Sequence, residues 1–155
     1  MKIGLVTEPL YRRGSDYMVK VIIATHGELA DGLRKSVEFI MGDRKSLYSI
    51  SAYTDNCLNP EKTINEIISN SNEPIICLTD IFGGSINSYI MSTLSIHNNI
   101  HLITGVNLPM IIQLLMDLDQ DIDIKEAIDN CINSGQNGIF ECKKNKNNDK
   151  AFDSF

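Results

Sequence analysis

The chain alternates short apolar runs with longer stretches in which apolar residues return every three or four positions. Val19 to Ala24 is a largely apolar run of strand length, and Leu29, Leu33, Val37, Ile40 and Met41 follow at helical spacing up to Gly42, a residue type favoured just past a helix. Leu47 to Tyr53 reads as a second strand. Asn59-Pro60-Glu61 then supplies an N-cap, a first-turn proline and an acidic first turn for a helix carrying Ile64, Ile67 and Ile68. Ile75 to Thr79 is a third strand, followed after Gly83-Gly84-Ser85 by a helix with Ile86, Tyr89, Ile90, Thr93 and Leu94. Ile100 to Thr104 is a fourth, and a helix from about Pro109 presents Ile111, Leu114, Leu115 and Leu118. A last helix holds Ile124, Ile128, Cys131 and Ile132 and ends near Ser134-Gly135, leaving Gly138 to Cys142 as a short final strand.

Repeated βα units with nearly all-apolar strands predict a doubly wound α/β fold, a mainly parallel sheet with helices on both faces. The functional crevice of such a sheet lies beyond the C-terminal ends of its strands, where neighbouring connections run to opposite faces. If strands one and three are neighbours, the loops after them flank that crevice. Those loops carry Thr25-His26-Gly27 and Thr79-Asp80-Ile81-Phe82-Gly83-Gly84-Ser85.

Composition narrows the setting. A chain of 155 residues with 43% hydrophobic content suits one compact domain, placed here at residues 18–142. The net charge of -6 offers no basic patch and argues against nucleic acid as a partner. No stretch approaches the roughly 18 apolar residues of a membrane-spanning helix. Cys57, Cys77, Cys131 and Cys142 are widely spaced without a C-x-x-C pair, and Cys77 and Cys131 fall at apolar positions, so free thiols and a cytoplasmic setting are expected. Residues 1–17 lack the hydrophobic stretch of a secretory signal and read as a leader or appended extension, with an extra edge strand at Ile3 to Val6 as the alternative. Residues 143–155 read as a polar, mobile tail, with Phe152 and Phe155 in a frayed terminus.

The chemistry centres on His26. An imidazole at a strand-to-helix junction sits beside free backbone N–H donors and is suited to carrying an anion. One ring nitrogen can attack phosphorus while the other donates its proton. Asp80, accepting that N–H, would fix the tautomer and stabilise the positive charge gathering on the ring. Gly83 and Gly84 would allow close backbone approach to a phosphoryl group, and the Ser85 hydroxyl would add a hydrogen bond. Thr25 and Glu28 have capping-box spacing, T-x-x-E, at the start of the His26 helix, with Thr25 as a further phosphate contact. His97 and His101 lack a matching carboxylate or thiol set, so no metal site is expected.

Three segments together, Ile23-Ala24-Thr25-His26-Gly27, Thr79-Asp80-Ile81-Phe82-Gly83-Gly84-Ser85 and Gly105-Val106-Asn107-Leu108-Pro109-Met110, resemble the IIA component of the mannose-family phosphoenolpyruvate-dependent sugar phosphotransferase system. The resemblance spans roughly Val19 to Cys142. It implies a protein-histidine phosphotransferase without cofactor, in which His26 takes a phosphoryl group on Nε2 from the phosphocarrier HPr. The group then passes to a IIB component, which phosphorylates sugar entering through the IIC and IID membrane components, so that the protein would meet the membrane only peripherally. Asp80 becomes the Nδ1 partner and Ser85 with Gly83-Gly84 the phosphate contacts. Phe82, Asn107 and Pro109 become the crevice wall or docking surface. The same resemblance implies a homodimer in which the final strand, Gly138 to Cys142, is exchanged as an antiparallel edge. Two alternatives share the scaffold, a IIA-like signalling module and a phosphoryl donor to dihydroxyacetone kinase. A nucleotide- or flavin-binding module is disfavoured, because no G-x-G-x-x-G or P-loop follows the first strand. The sugar is left open.

Overall fold

The computed structural model describes residues 18–143. Among the described residues nine elements follow one another: β1 Lys20–His26, α1 Leu29–Met41, β2 Leu47–Ala52, α2 Pro60–Ser69, β3 Ile75–Thr79, α3 Ser85–Thr93, β4 Ile100–Thr104, α4 Leu108–Asp119 and α5 Ile124–Asn137. The proposed leader, the alternative strand at Ile3 to Val6, and the tail from residue 144 onward, with Phe152 and Phe155, lie outside the described residues.

The four strands form one parallel sheet in the order β2-β1-β3-β4. Alternation along β1 and β3 divides the core in two. Val21, Ile23, Ile76 and Leu78 face α1, α4 and α5, packing with Val37, Ile111, Leu114 and Cys131. Ile22, Ala24, Ile75 and Cys77 face α2 and α3, packing with Ile64, Ile68, Ile86 and Ile90. Val21 through Ala24 are wholly buried, which explains why the strand reads as an apolar run instead of an alternation. The valine and isoleucine side chains among them each contribute on the order of 1.5–3 kcal/mol over their exposed state. The fold is therefore doubly wound α/β, and β1 and β3 are the neighbours whose following helices lie on opposite faces.

Local signals act as read. Gly42, at φ 83°, closes α1 with its N–H donating to the Glu38 carbonyl at 2.9 Å. The Asn59 side chain accepts from the Lys62 N–H at 3.1 Å above Pro60, starting α2. Burial pushes the Cys77 thiol up to about 12, and burial reinforced by the Asp117 charge pushes Cys131 up to about 11, so both are inert small apolar groups.

The C-terminal region differs from expectation. The last helix runs past Ser134-Gly135 to Asn137, because Gly135 serves packing instead of termination: a Cβ there would lie 3.1 Å from Met110 Cβ on α4. Gly138 ends the helix, with its N–H on the Ser134 carbonyl at 2.9 Å. Residues 139–142 form no strand among the described residues, and Ile139 and Phe140 stand exposed. An extended segment needs a neighbouring edge to satisfy its ladder groups, and none is paired with it here.

Candidate functional site

His26 ends β1 opposite Ala52 of β2, on the face that Ile22 and Ala24 share with α2 and α3. Ala24 pairs with Thr79, so β3 ends beside His26 and the next residue, Asp80, meets it. Both the His26 backbone N–H and ring Nδ1 lie 2.8 Å from Asp80 Oδ2, and the Ile81 N–H donates to Oδ1 at 2.8 Å. An ionised carboxylate only accepts, so the proton sits on Nδ1 and Nε2 carries the lone pair that can act as nucleophile. Nε2 is 3.2 Å from Ser85 Oγ at the start of α3, and the imidazole side chain remains 40% exposed. Sequence reasoning thus brings His26, Asp80 and Ser85 together as the structure does.

Burial alone raises the Asp80 pKa, but hydrogen bonds from the His26 N–H, the His26 ring and the Ile81 N–H outweigh it and hold the carboxyl below its ordinary value. The pairing therefore stabilises the fold fully above the usual aspartate pKa of about 3.9, and that contribution is lost as pH falls through the lower folded-state value. In a carbon NMR titration the Asp80 carboxyl is expected to have a midpoint below the ordinary one. The midpoint should rise in His26→Ala, where only the backbone donors remain. An identical midpoint in both proteins would contradict the pairing.

The two glycines of the β3–α3 loop have roles other than a direct phosphate cradle. Gly83 turns at φ 74° and donates its N–H to Asn87 Oδ1 at 3.1 Å, while the Gly84 N–H is directed to the Ile81 carbonyl at 3.3 Å. The donors left at this end are the Ser85, Ile86 and Asn87 amides in the first turn of α3, which have no intrahelical acceptor and carry the positive end of the helix dipole. Gly84 instead makes room for the imidazole. A Cβ there would lie 2.9 Å from Ile81 Cγ2 and 3.0 Å from His26 Cε1. Ile81 is exposed and can give way, but the ring is pinned at both nitrogens. Gly84 has φ -65°, which alanine adopts freely. Gly84→Ala is accordingly expected to reduce phosphoryl acceptance about tenfold with little change in thermal stability. Wild-type kinetics in that variant would contradict the close approach.

Other site expectations are corrected. Thr25 lies within β1 with its side chain on the face opposite His26, and its hydroxyl is buried without a hydrogen-bond partner among the described residues, so it does not join the phosphate contacts. Glu28 is itself the α1 N-cap and makes no side-chain capping bond, because the strand runs on through His26 and Gly27 turns at φ 59°. No capping box forms. Asn107 caps α4 through the Met110 N–H at 3.1 Å and donates to the Gly135 carbonyl at 3.0 Å. Pro109 packs on the end of α5, where a Cβ on Gly138 would approach its Cγ to 2.9 Å. Both residues therefore join α4 to α5, and neither bonds the His26 group. Phe82, 72% exposed on the β3–α3 loop, does stand beside the site, together with exposed Ile81.

Two contributing residues escaped the sequence reading. Asn87, buried in α3, holds the loop by accepting from Gly83 and donating to Thr79 Oγ1 at 3.1 Å. Its one signal was a polar residue on an otherwise apolar helix face. Tyr53 follows β2 and donates its hydroxyl to Ser85 Oγ at 2.9 Å. In the sequence it continues the strand pattern that begins at Leu47.

The family model described as PTS system fructose IIA component matches residues 20–132. The mannose-specific EIIAB component of the phosphotransferase system from Escherichia coli K12 is 25% identical over 130 residues, covering 81% of this chain and 40% of its own length. This chain thus spans well under half of that relative. The fructose-specific EIIA component of Bacillus subtilis is 23% identical over 130 residues, covering 82% of this chain and 88% of its own. Among solved structures, a Klebsiella pneumoniae candidate permease of the phosphoenolpyruvate-dependent sugar phosphotransferase system superposes with a TM-score of 0.76 at 30% identity, covering 86% of this chain and 96% of the other. The matched region holds all four strands and the whole His26, Asp80 and Ser85 arrangement. The chain belongs to the mannose- and fructose-type IIA family of sugar phosphotransferase components.

Proposed function

We propose that residues 18–142 form one IIA-type unit that relays a phosphoryl group through His26, accepting it from phosphorylated HPr and passing it to a IIB component. The observation that carries this reading is an imidazole held at both nitrogens, by Asp80 at 2.8 Å and Ser85 at 3.2 Å. In the accepting step Nε2 attacks phosphorus. The phosphorus–nitrogen bond of the donor phosphohistidine breaks, and its electron pair leaves with the donor ring. The His26 Nδ1 proton stays in place, and the Asp80 carboxylate stabilises the positive charge on the phosphorylated ring. Ser85 Oγ–H turns from Nε2 to a phosphoryl oxygen, while the Ser85 and Ile86 amides supply further donors at the α3 N-terminus. Transfer of this kind is mostly positioning and charge stabilisation. Delivery to IIB is the same step in reverse, with the acceptor nucleophile on the far side of phosphorus.

Exposed Ile81 and Phe82 give partner proteins apolar anchors beside the half-exposed ring. Sugar uptake would follow through the IIC and IID membrane components. No described helix is long and apolar enough to cross a membrane, which suits a subunit meeting those components peripherally from the cytoplasm. Exposed Ile139 and Phe140 would supply the exchanged edge strand of a homodimer.

The test is reconstitution with phosphoenolpyruvate, Enzyme I and HPr. One phosphate per chain, labile in acid and stable in alkali, is expected only when HPr is included. A chain that takes no label from phosphorylated HPr would overturn the proposal.

A further inference from the structure

β2 ends at Ala52, the register partner of His26, and the chain then turns sharply. Tyr53 has φ 62°, a left-handed conformation that bulky side chains seldom adopt. The turn is pinned in place. Tyr53 N–H donates to the Cys57 carbonyl at 2.9 Å, Cys57 N–H to the Thr54 carbonyl at 2.9 Å, and the Thr54 hydroxyl to the Ser51 carbonyl at 2.8 Å. Glycine or asparagine would suit that backbone with less strain. What tyrosine adds is a phenol carried to the C-terminal edge of the sheet. Its ring centroid lies 6.0 Å from that of His26, with the planes inclined at 30°, and its hydroxyl donates to Ser85 Oγ at 2.9 Å. Backbone strain of this sort concentrates where a side chain has functional work.

We propose that Tyr53 is a positioning residue for phosphoryl transfer, acting through Ser85 by fixing the direction of the Ser85 hydroxyl proton. The proposal rests on the phosphocarrier reading of His26. The Tyr53 O–H occupies one lone pair of Ser85 Oγ, so the serine hydrogen is directed away from the phenol. In the resting site it points to Nε2. Once Nε2 bonds phosphorus and the donor's phosphorus–nitrogen bond breaks, the same hydrogen is presented to a phosphoryl oxygen. Tyr53 keeps its own proton throughout. The two hydroxyls in series polarise each other, strengthening the donor that meets the incoming negative charge. Without the phenol, Ser85 can rotate and turn a lone pair toward the phosphoryl oxygens, which repels them.

Phosphoramidate tests this without any docking surface, since its phosphorus–nitrogen bond breaks with loss of ammonia alone. Tyr53→Phe keeps the ring and removes the hydroxyl. It is expected to slow His26 phosphorylation about three- to tenfold, the worth of one hydrogen bond, and to shift the His26 ring nitrogen resonances of the unphosphorylated protein. In a Ser85→Ala background the same substitution should add nothing. Wild-type rates in Tyr53→Phe, or an equal slowing with and without Ser85, would overturn the proposal while the phosphocarrier reading stands. A wild-type chain that takes no phosphate on His26 would overturn the phosphocarrier reading, and this proposal with it.

Discussion

Replacing His26 by alanine is expected to abolish phosphoryl acceptance, with labelling reduced at least a thousandfold to background. The size follows from chemistry: in the proposed relay Nε2 is the atom that bonds phosphorus, and no neighbouring side chain can take over. Asp80 and Ser85 are within reach but would give a carboxyl or hydroxyl phosphate, without the alkali-stable, acid-labile character of phosphohistidine. His101 sits on β4 level with Val21, several residues below the crevice along the sheet, and His97 precedes that strand. The fold should survive the change. The ring is 40% exposed, and Asp80 keeps the backbone donors of residues 26 and 81 at 2.8 Å. Stability is therefore expected within about 1 kcal/mol of wild type, as for surface substitutions that break no buried network. A folded His26→Ala protein that still takes an acid-labile phosphate at the wild-type rate would remove His26 from the mechanism.

Asp80→Asn should be the next largest effect, slowing transfer about a hundredfold while the label stays on His26. Asp80 accepts on both oxygens. Oδ2 takes the His26 N–H and Nδ1–H, and Oδ1 takes the Ile81 N–H. Asparagine has one acceptor oxygen and one NH2 group, so either orientation sets a donor against a donor. With its oxygen toward His26, the amide NH2 faces the Ile81 N–H. Flipped, it faces both His26 donors and favours the tautomer whose proton sits on Nε2, which cannot attack phosphorus. A frustrated donor at this part-buried position also costs about 1–3 kcal/mol. The variant should thus lose rate and thermal stability together, whereas Gly84→Ala loses rate alone. Unchanged transfer in Asp80→Asn would retire the orienting role of the carboxylate.

Much of this arrangement was legible in the sequence because its signals are local. β3 and β4 begin and end where the apolar runs do, at Ile75–Thr79 and Ile100–Thr104. The His26 and Asp80 pair follows from one topological step, that strands one and three are neighbours, since both residues stand at strand ends. What was not legible depends on direction and shape. Period-two alternation puts Thr25 and His26 on opposite faces, so adjacency in sequence did not mean adjacency in the site. Gly84 matters for a Cβ it lacks, a property visible only once His26 Cε1 is placed 3.0 Å away. Tyr53 extended an apolar strand pattern, and nothing in that pattern signals a left-handed φ. Asn107-Leu108-Pro109 has the form of a helix entry, and it serves as one for α4. The Gly138 to Cys142 segment carries the apolar residues of a strand, but no strand pairs with it among the described residues.

The central claim is that His26 carries phosphate on Nε2 while Nδ1 remains the hydrogen-bond donor to Asp80. Proton–nitrogen correlation NMR of the imidazole after phosphorylation by HPr reads both nitrogens in one spectrum. The predicted result is a phosphorus-coupled Nε2 and a protonated Nδ1. A phosphorus-coupled Nδ1, or unmodified His26 signals in a fully phosphorylated chain, would contradict it.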